Sequence, residues 1–434
     1  MTARRLCALA AAVALGAVAG GAATPAAAQR GPHATAVVTR REPGSELVIW
    51  LTTMGPGAEV WERFGHNAIW VQDTVTGQGV SYNYGLFDFR QTDFTLRFLQ
   101  GRMWYAMGGF DALPYLESYV RDNRSVWLQE LELSPRQKVA LRDFLVWNDR
   151  DENRHYHYDY YRDNCSTRVR DAIDRVIGGR IRAETDTIAA GATYRSHTQR
   201  LTAGDPPIYL GLMLILGEPV DRPLTAYGEM FLPLRLRDWV RQVTVRTEEG
   251  RVLPLVRSER LVFRSTRPPV PDAPPRWLPP LLAAGATVGG VFVWLGAAAR
   301  SRAGARRLFG GLGAAWGAVV GVAGLVLVSV WALSDHVVAY DNENLLQANL
   351  LALPLALLLP RLAAGQGGSG RAATLVAMLT AAVSLIGPVL KIVPGFPQVN
   401  GQILALFVPI HLGVAVGTWL LARRPLPVQA GGAS

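Results

Sequence analysis

The feature that most restricts the fold is a series of five apolar segments late in the chain, at about 278–298, 309–333, 345–363, 372–392 and 402–422. Each is long enough to cross the roughly 30 Å hydrocarbon core of a bilayer as a helix. Backbone inside hydrocarbon must satisfy its own hydrogen bonds, so these segments predict an all-α membrane domain of about five transmembrane helices over residues 281–424. From Leu278 to Ser434 nine bases stand against three acids (Asp335, Asp341 and Glu343), +6 of the whole chain's +10. With the preceding domain outside the cell, Arg300, Arg302, Arg306, Arg307, Arg361, Arg371, Arg423 and Arg424 fall in cytoplasmic stretches and only Lys391 falls outside. This is the positive-inside pattern, and it places the C-terminus in the cytoplasm. The basic balance is thus a label of orientation, and nucleic acid is not expected as a partner.

The first residues predict export. Arg4 and Arg5 precede an Ala-, Val-, Leu- and Gly-rich run from Leu6 to Ala23, and Ala26 to Ala28 supply a small-residue cleavage site, so residues 1–28 read as a secretory signal peptide. The expected location is the bacterial inner membrane, multi-pass, with an extracytoplasmic N-terminal domain. Without the signal peptide, Cys165 is the one remaining cysteine. It has no partner for an internal disulfide, and an unpaired thiol in an oxidising compartment points to chemistry.

Residues 42–264 read as one α+β domain. Short β-type runs at 46–53, 67–72, 80–84, 126–133 and 155–161 alternate with helical stretches. Ser134 followed by Pro135 predicts a helix start, with the helix running to about Trp147. A second helix should begin near Asn164, carry Val169, Ala172, Ile173 and Val176 on one stripe, and stop at Gly178 and Gly179. Thr247 to Gly250 predict a hairpin turn. Seven prolines between Arg267 and Pro280 mark a stiff linker over 265–280. The apolar stretch Ile208 to Leu216 is too short to span and reads as a core helix, able also to rest on the membrane.

Cys165 lies in Tyr-Arg-Asp-Asn-Cys-Ser-Thr-Arg-Val-Arg-Asp (161–171), at the expected helix start. The dipole and free N–H groups there predict a lowered thiol pKa and a more reactive nucleophile. His66, at a strand start after Gly65, is the candidate base. Cysteine at a helix start facing histidine on a strand is the papain arrangement in reversed chain order, which predicts a circularly permuted papain-like domain related to the NlpC/P60 type. Asn83, on the next strand, is the candidate orienting group for His66, while Asn67 should point the other way along its strand. The oxyanion donor is either the Asn164 side chain or the Cys165 backbone N–H, and Asn164 reads equally well as an N-cap.

Four pieces in order, Phe-Gly-His-Asn-Ala (64–68), Tyr-Asn-Tyr-Gly-Leu-Phe-Asp-Phe (82–89), Phe-Leu-Gln-Gly (98–101) and the Cys165 segment, resemble the N-terminal periplasmic domain of Lnb-type lipoprotein N-acylation transacylases. Ser-Asp-His (334–336) and Asn-Glu-Asn-Leu-Leu (342–346) resemble the membrane part of the same proteins. The resemblance implies an enzyme that moves an acyl chain from the diacylglyceryl group of a lipoprotein to that lipoprotein's N-terminal cysteine amine, with membrane lipids and lipoproteins as partners. Tyr84, His336, Asn342 and Asn344 are candidate substrate contacts on the outer side.

No metal or other cofactor is expected. His155, His157 and Asp159 alternate on one strand face near Asp163 but match no zinc signature, and the intervening tyrosines read as an aromatic inner face. Arg168, Arg170 and Asp171 read as a solvated, salt-bridged helix face. Two other functions compete: a membrane-tethered cell-wall amidase or peptidase of papain-like type, and a non-catalytic lipid or lipoprotein binding module.

Overall fold

The computed structural model describes residues 41–87, 92–366 and 368–423. The expected signal peptide, Asp88 and Phe89 of the second resemblance motif, and Arg424 lie outside the described residues.

The first part is a mixed α/β domain built on one seven-stranded antiparallel sheet. In chain order its strands are β1 (Leu47–Met54), β2 (His66–Asp73), β3 (Gly79–Phe87), β4 (Trp104–Asp111), β5 (Val126–Leu131) and β6 (His155–His157), with β11 (Val256–Phe263) returning to the far edge. The spatial order is β11-β5-β1-β2-β3-β4-β6. Two small two-stranded sheets, β7 (Ala189–Thr193) with β8 (Pro223–Thr225) and β9 (Thr244–Arg246) with β10 (Val252–Pro254), lie outside this sheet. The predicted turn at 247–250 joins β9 to β10. Two strands of the seven-stranded sheet escaped the sequence reading: β4 (WYAMGGFD) has paired glycines where alternation would show, and β11 (VRSERLVF) carries charges because it is an edge.

Helices cover the inner sheet face as the stripes predict. Ser134 Oγ accepts a hydrogen bond from Gln137 N–H, and Gln137 Oε1 accepts one from Ser134 N–H, so a capping box starts the helix Pro135–Asn148. Leu141 and Leu145 of that helix join Val169, Ala172 and Ile173 of the helix Cys165–Val176, and both pack on Ile49, Leu51, Ile69 and Tyr84. Tyr156 and Tyr158 face the same core, whereas His155 and His157 are exposed.

Among the described residues, four helices are long and apolar enough to cross a membrane: Leu278–Ala298, Ala303–Leu333, Ser369–Leu390 and Gly401–Ala422. The expected third span, 345–363, is not a continuous helix. Residues 343–352 form 3-10 turns, the helix Leu355–Ala363 follows, and the two parts meet at 47°. Pro354 sits at the break, where it can donate no backbone hydrogen bond. Bare glycines of the helix Ala303–Leu333 receive this broken segment along its length: Gly324 meets Ala348, Gly321 meets Leu353, Gly317 meets Leu355 and Gly310 meets Ala363. Irregular backbone is thereby packed on protein. The helices Leu278–Ala298 and Gly401–Ala422 approach equally closely: a Cβ on Gly289 would lie 2.3 Å from the Pro409 carbonyl oxygen, and one on Gly413 2.2 Å from that of Gly289.

The membrane helices and the sheet domain form one compact unit from Glu42 onward. The short helix Pro206–Ile215 is the joint. Tyr209 stacks on Trp277 at 5.5 Å and donates to Gln402. The chain between Phe263 and Leu278 is irregular but fastened, with Ser265 Oγ donating to the Asn123 carbonyl at 2.6 Å.

Candidate active site

Asp159 shapes the approach to Cys165 by accepting hydrogen bonds from the N–H groups of Tyr161 and Arg162, each at 2.9 Å. Asn164 then caps the helix. Its Oδ1 accepts from Ser166 and Thr167 N–H, at 2.9 and 3.0 Å, and its Nδ2 donates to the carbonyls of Tyr160 and Phe231, at 2.9 and 3.0 Å. Both amide hydrogens are spent, so the side chain is an N-cap and has none left for an oxyanion. Cys165 follows as the first helical residue, buried at 7% exposure.

The adjacent sheet brings the histidine. The β2–β3 ladder ends at the pair Ala68 and Asn83, and Gly85, at a φ of +91°, bends β3 away beyond it. Asn67 N–H is therefore not spent on β3. It points instead at the Cys165 sulfur, as do the N–H groups of Ser166 and of Cys165 itself. His66, one residue before Asn67, shares a sheet face with Asn83, and its Nε2 is hydrogen-bonded to Asn83 Oδ1. An amide oxygen only accepts, so Nε2 carries the hydrogen and Nδ1 keeps its lone pair.

Asn67 does point the other way, and that direction fixes the site. Its Nδ2 donates to Thr53 Oγ1 at 2.8 Å and to the Thr52 carbonyl at 3.3 Å, while its Oδ1 lies 2.9 Å from Ser166 Oγ. Ser166 Oγ also lies 2.7 Å from the Met230 carbonyl. One buried amide thus ties β1, β2 and the cysteine helix together. The sequence reading missed this role, as it missed the aromatic wall from the helix Ala112–Arg121. Tyr119 stacks on His66 with centroids 6.1 Å apart, and its hydroxyl lies 2.9 Å from that of Tyr115. Arg124 lies over Tyr119 at 4.8 Å, donates to the Gly55 carbonyl at 2.9 Å and pairs with Glu62 at 3.3 Å. Arg124, five places after Tyr119 and nine after Tyr115, forms no recognisable motif with them, so only the fold reveals this layer.

Burial overrides the helix dipole. It pushes the Cys165 thiol up to about 11, against the three N–H groups and the more distant Arg124, all of which lower it. This reverses the lowered pKa expected from the helix start. Burial also pushes His66 down to about 4, a fall that the Asn83 bond opposes and Arg124 reinforces. At neutral pH the pair is thiol and imidazole, and no ion pair stands ready.

The other sequence candidates lie elsewhere. Tyr84 is a core residue, 1% exposed, whose hydroxyl donates to Asn148 at 2.8 Å. Asn342 Nδ2 donates to the carbonyls of Leu214 and Ile215, and Asn344 Nδ2 to those of Met213 and Leu214, all at about 3 Å. Buried amides that cap the end of a helix have no donor left for substrate, so these two asparagines join the domains. His336 donates through Nε2 to the Phe98 carbonyl at 2.9 Å, which brings Ser-Asp-His against Phe-Leu-Gln-Gly. Arg168 pairs with Asp163 and Arg170 with the exposed Asp171, so this helix face is salt-bridged as expected, while Arg170 itself is buried and stacked 3.7 Å over Tyr227.

Residues 34–200 match the family described as the Lnb N-terminal periplasmic domain. That span holds β1 to β6 and every residue of the Cys165, His66 and Asn83 cluster. Searches of curated proteins and of solved structures found no match to the chain.

Proposed function

Because residues 34–200 of this chain belong to the Lnb N-terminal periplasmic domain family, we propose that it is a membrane-bound thiol acyltransferase acting on lipoproteins. The observation that carries the reading is the tie between the cysteine helix and the strand of His66: Asn67, next to His66, lies 2.9 Å through its Oδ1 from the Oγ of Ser166, next to Cys165, with Asn67 N–H on the sulfur and Asn83 on Nε2 of the His66 ring. Base, nucleophile and orienting amide in this relation are the parts of papain-type catalysis, here in permuted chain order.

His66 Nδ1 takes the thiol proton as the sulfur attacks a lipid ester carbonyl. The S–C bond forms, the oxyanion is held by the backbone N–H groups of Cys165 and Asn67, and the C–O bond breaks as imidazolium returns the proton to the leaving alcohol. The amine of the lipoprotein's N-terminal cysteine then attacks the thioester. The N–C bond forms, the C–S bond breaks, and the amine proton passes through His66 back to the sulfur. The sheet domain lies outside the cell in this reading, with Arg300, Arg302, Arg306, Arg307, Arg361, Arg371 and Arg423 at the cytoplasmic end of the bundle.

The test is mass spectrometry of a reporter lipoprotein in a host lacking lipoprotein N-acylation. Wild type should convert the diacyl form to one with an amide-linked chain and a free glyceryl hydroxyl, and Cys165→Ala should not. If wild type instead releases wall peptides and leaves the reporter unchanged, the amidase reading replaces this one.

A further inference from the structure

The helix Phe94–Gln100 carries an apolar surface that the transfer reaction does not itself use. Leu96, Phe98 and Leu99 are 54%, 46% and 56% exposed, and Trp104 beyond the helix is 38% exposed. Such a cluster on so short an element needs a cover, and its position identifies one. The Gln100 carbonyl accepts from Asp335 N–H at 2.8 Å, the Phe98 carbonyl from His336, and Arg102 pairs with Asp335 at 2.7 Å. Asp335 and His336 follow the membrane helix Ala303–Leu333 after its C-cap Ser334, and the last turns of that helix expose Trp331 and, at 71%, Leu333. The apolar patch on 94–104 is therefore continuous with the lipid-facing surface of a membrane span.

Behind the patch lies a cavity of about 410 Å³, lined by Leu86, Arg97, Trp104 and Tyr105 among others. One aromatic layer separates it from the nucleophile: Tyr105 stacks on Tyr158 at 4.2 Å, and Tyr158 borders Gly85, whose added Cβ would stand 3.7 Å from Cys165 Cβ. Leu86, next to that glycine, lines the cavity. Lipid surface, apolar lip, cavity and thiol thus follow one another in space.

We infer that residues 94–104 form a lip that dips into the outer face of the bilayer and guides the acyl chain of a membrane-embedded ester through this cavity to Cys165. The inference rests on the acyltransferase reading for its last step, but the depth of the lip does not. Arg97 and Arg102 fit such a position, since long basic side chains reach from buried stems to the polar surface.

The depth is measured on full-length protein in phosphatidylcholine nanodiscs. A bimane is attached at Leu99→Cys in a Cys7→Ala, Cys165→Ala background, with Thr76→Cys on the β2–β3 turn as the water-exposed reference. Acyl-chain doxyl lipid should quench the Leu99 probe at least threefold more than the Thr76 probe, and iodide should do the reverse. Equal iodide quenching at both sites, with no doxyl quenching at Leu99, overturns the lip. In otherwise wild-type protein, Leu96→Glu with Leu99→Glu should lower Cys165 acylation from a vesicle-embedded ester at least tenfold more than acylation from a water-soluble butyryl ester. Equal losses on both esters overturn the guiding role. If wild-type Cys165 takes no acyl group from either ester, the acyltransferase reading fails, while the quenching result still decides whether the lip enters the bilayer.

Discussion

The Nε2 hydrogen of His66 is held by the amide oxygen of Asn83, the residue opposite Ala68 on the neighbouring strand. This bond sets both the tautomer and the ring plane of the proposed base. Replacing Asn83 by Leu removes the acceptor, and acyl transfer should fall on the order of 10²-fold, the lower end of a general base's contribution. Asn83→Asp should behave differently, because a carboxylate favours the imidazolium and raises the His66 pKa from about 4. The acid limb of the pH–rate profile should move to higher pH in Asn83→Asp. An unmoved limb in that variant shows that Asn83 does not control the ring.

A neutral thiol at rest has a measurable signature. With Cys165 pushed up to about 11, iodoacetamide should alkylate the resting protein slowly at pH 7 and faster with each unit of pH toward 11. Arg124 lowers the thiol pKa, so Arg124→Met should shift this curve further toward alkaline pH. Rapid, pH-independent alkylation between pH 6 and 8 indicates a preformed thiolate and contradicts the burial argument.

Asn67→Leu removes the bonds to Thr52, Thr53 and Ser166 at a fully buried position. Each buried polar group left without a partner costs about 1–3 kcal/mol, so a loss on the order of 3 kcal/mol is expected in thermal unfolding. Ser166→Ala should cost less, because its partners Asn67 and Met230 keep other contacts on their elements. A Tm unchanged in Asn67→Leu rules out the tie between β2 and the cysteine helix.

The pair Asn342 and Asn344 caps the end of the helix Pro206–Ile215 from the membrane side. Replacing both by Ala should loosen the sheet domain from the bundle and speed proteolysis in the irregular stretch 264–277 several-fold, leaving the sheet domain itself intact. Loss of lipoprotein conversion with unchanged proteolysis and stability supports the substrate-contact role that the sequence suggested for them.

Much of this architecture was legible in local chemistry. Ser134, Pro135 and Gln137 announce one helix, and Asn164 with Gly178 and Gly179 bounds another, because caps act within a few residues. The apolar segments are visible for the same reason, although the third hides a break at Pro354. His66, Asn83 and Cys165 stood out by residue type and by resemblance. Asn67 and Arg124 did not, since their roles depend on strand register and on a helix crossing over the sheet. The buried partners of Tyr84, Asn342 and Asn344 were illegible for the same reason: they are set by elements far away in the chain and not by the motifs that these residues stand beside. The thiol pKa was misjudged because a dipole can be read from a sequence, whereas the burial opposing it cannot.

The central claim, that Cys165 carries the acyl group, is tested most directly by acid-quenching membranes with a diacyl lipoprotein present and measuring the mass of the peptide that contains Cys165. The account predicts a hydroxylamine-labile fatty-acyl adduct on Cys165 in wild type, and little or none in His66→Ala. Conversion of the lipoprotein at wild-type rate by Cys165→Ala, with no adduct on the wild-type peptide, would contradict it.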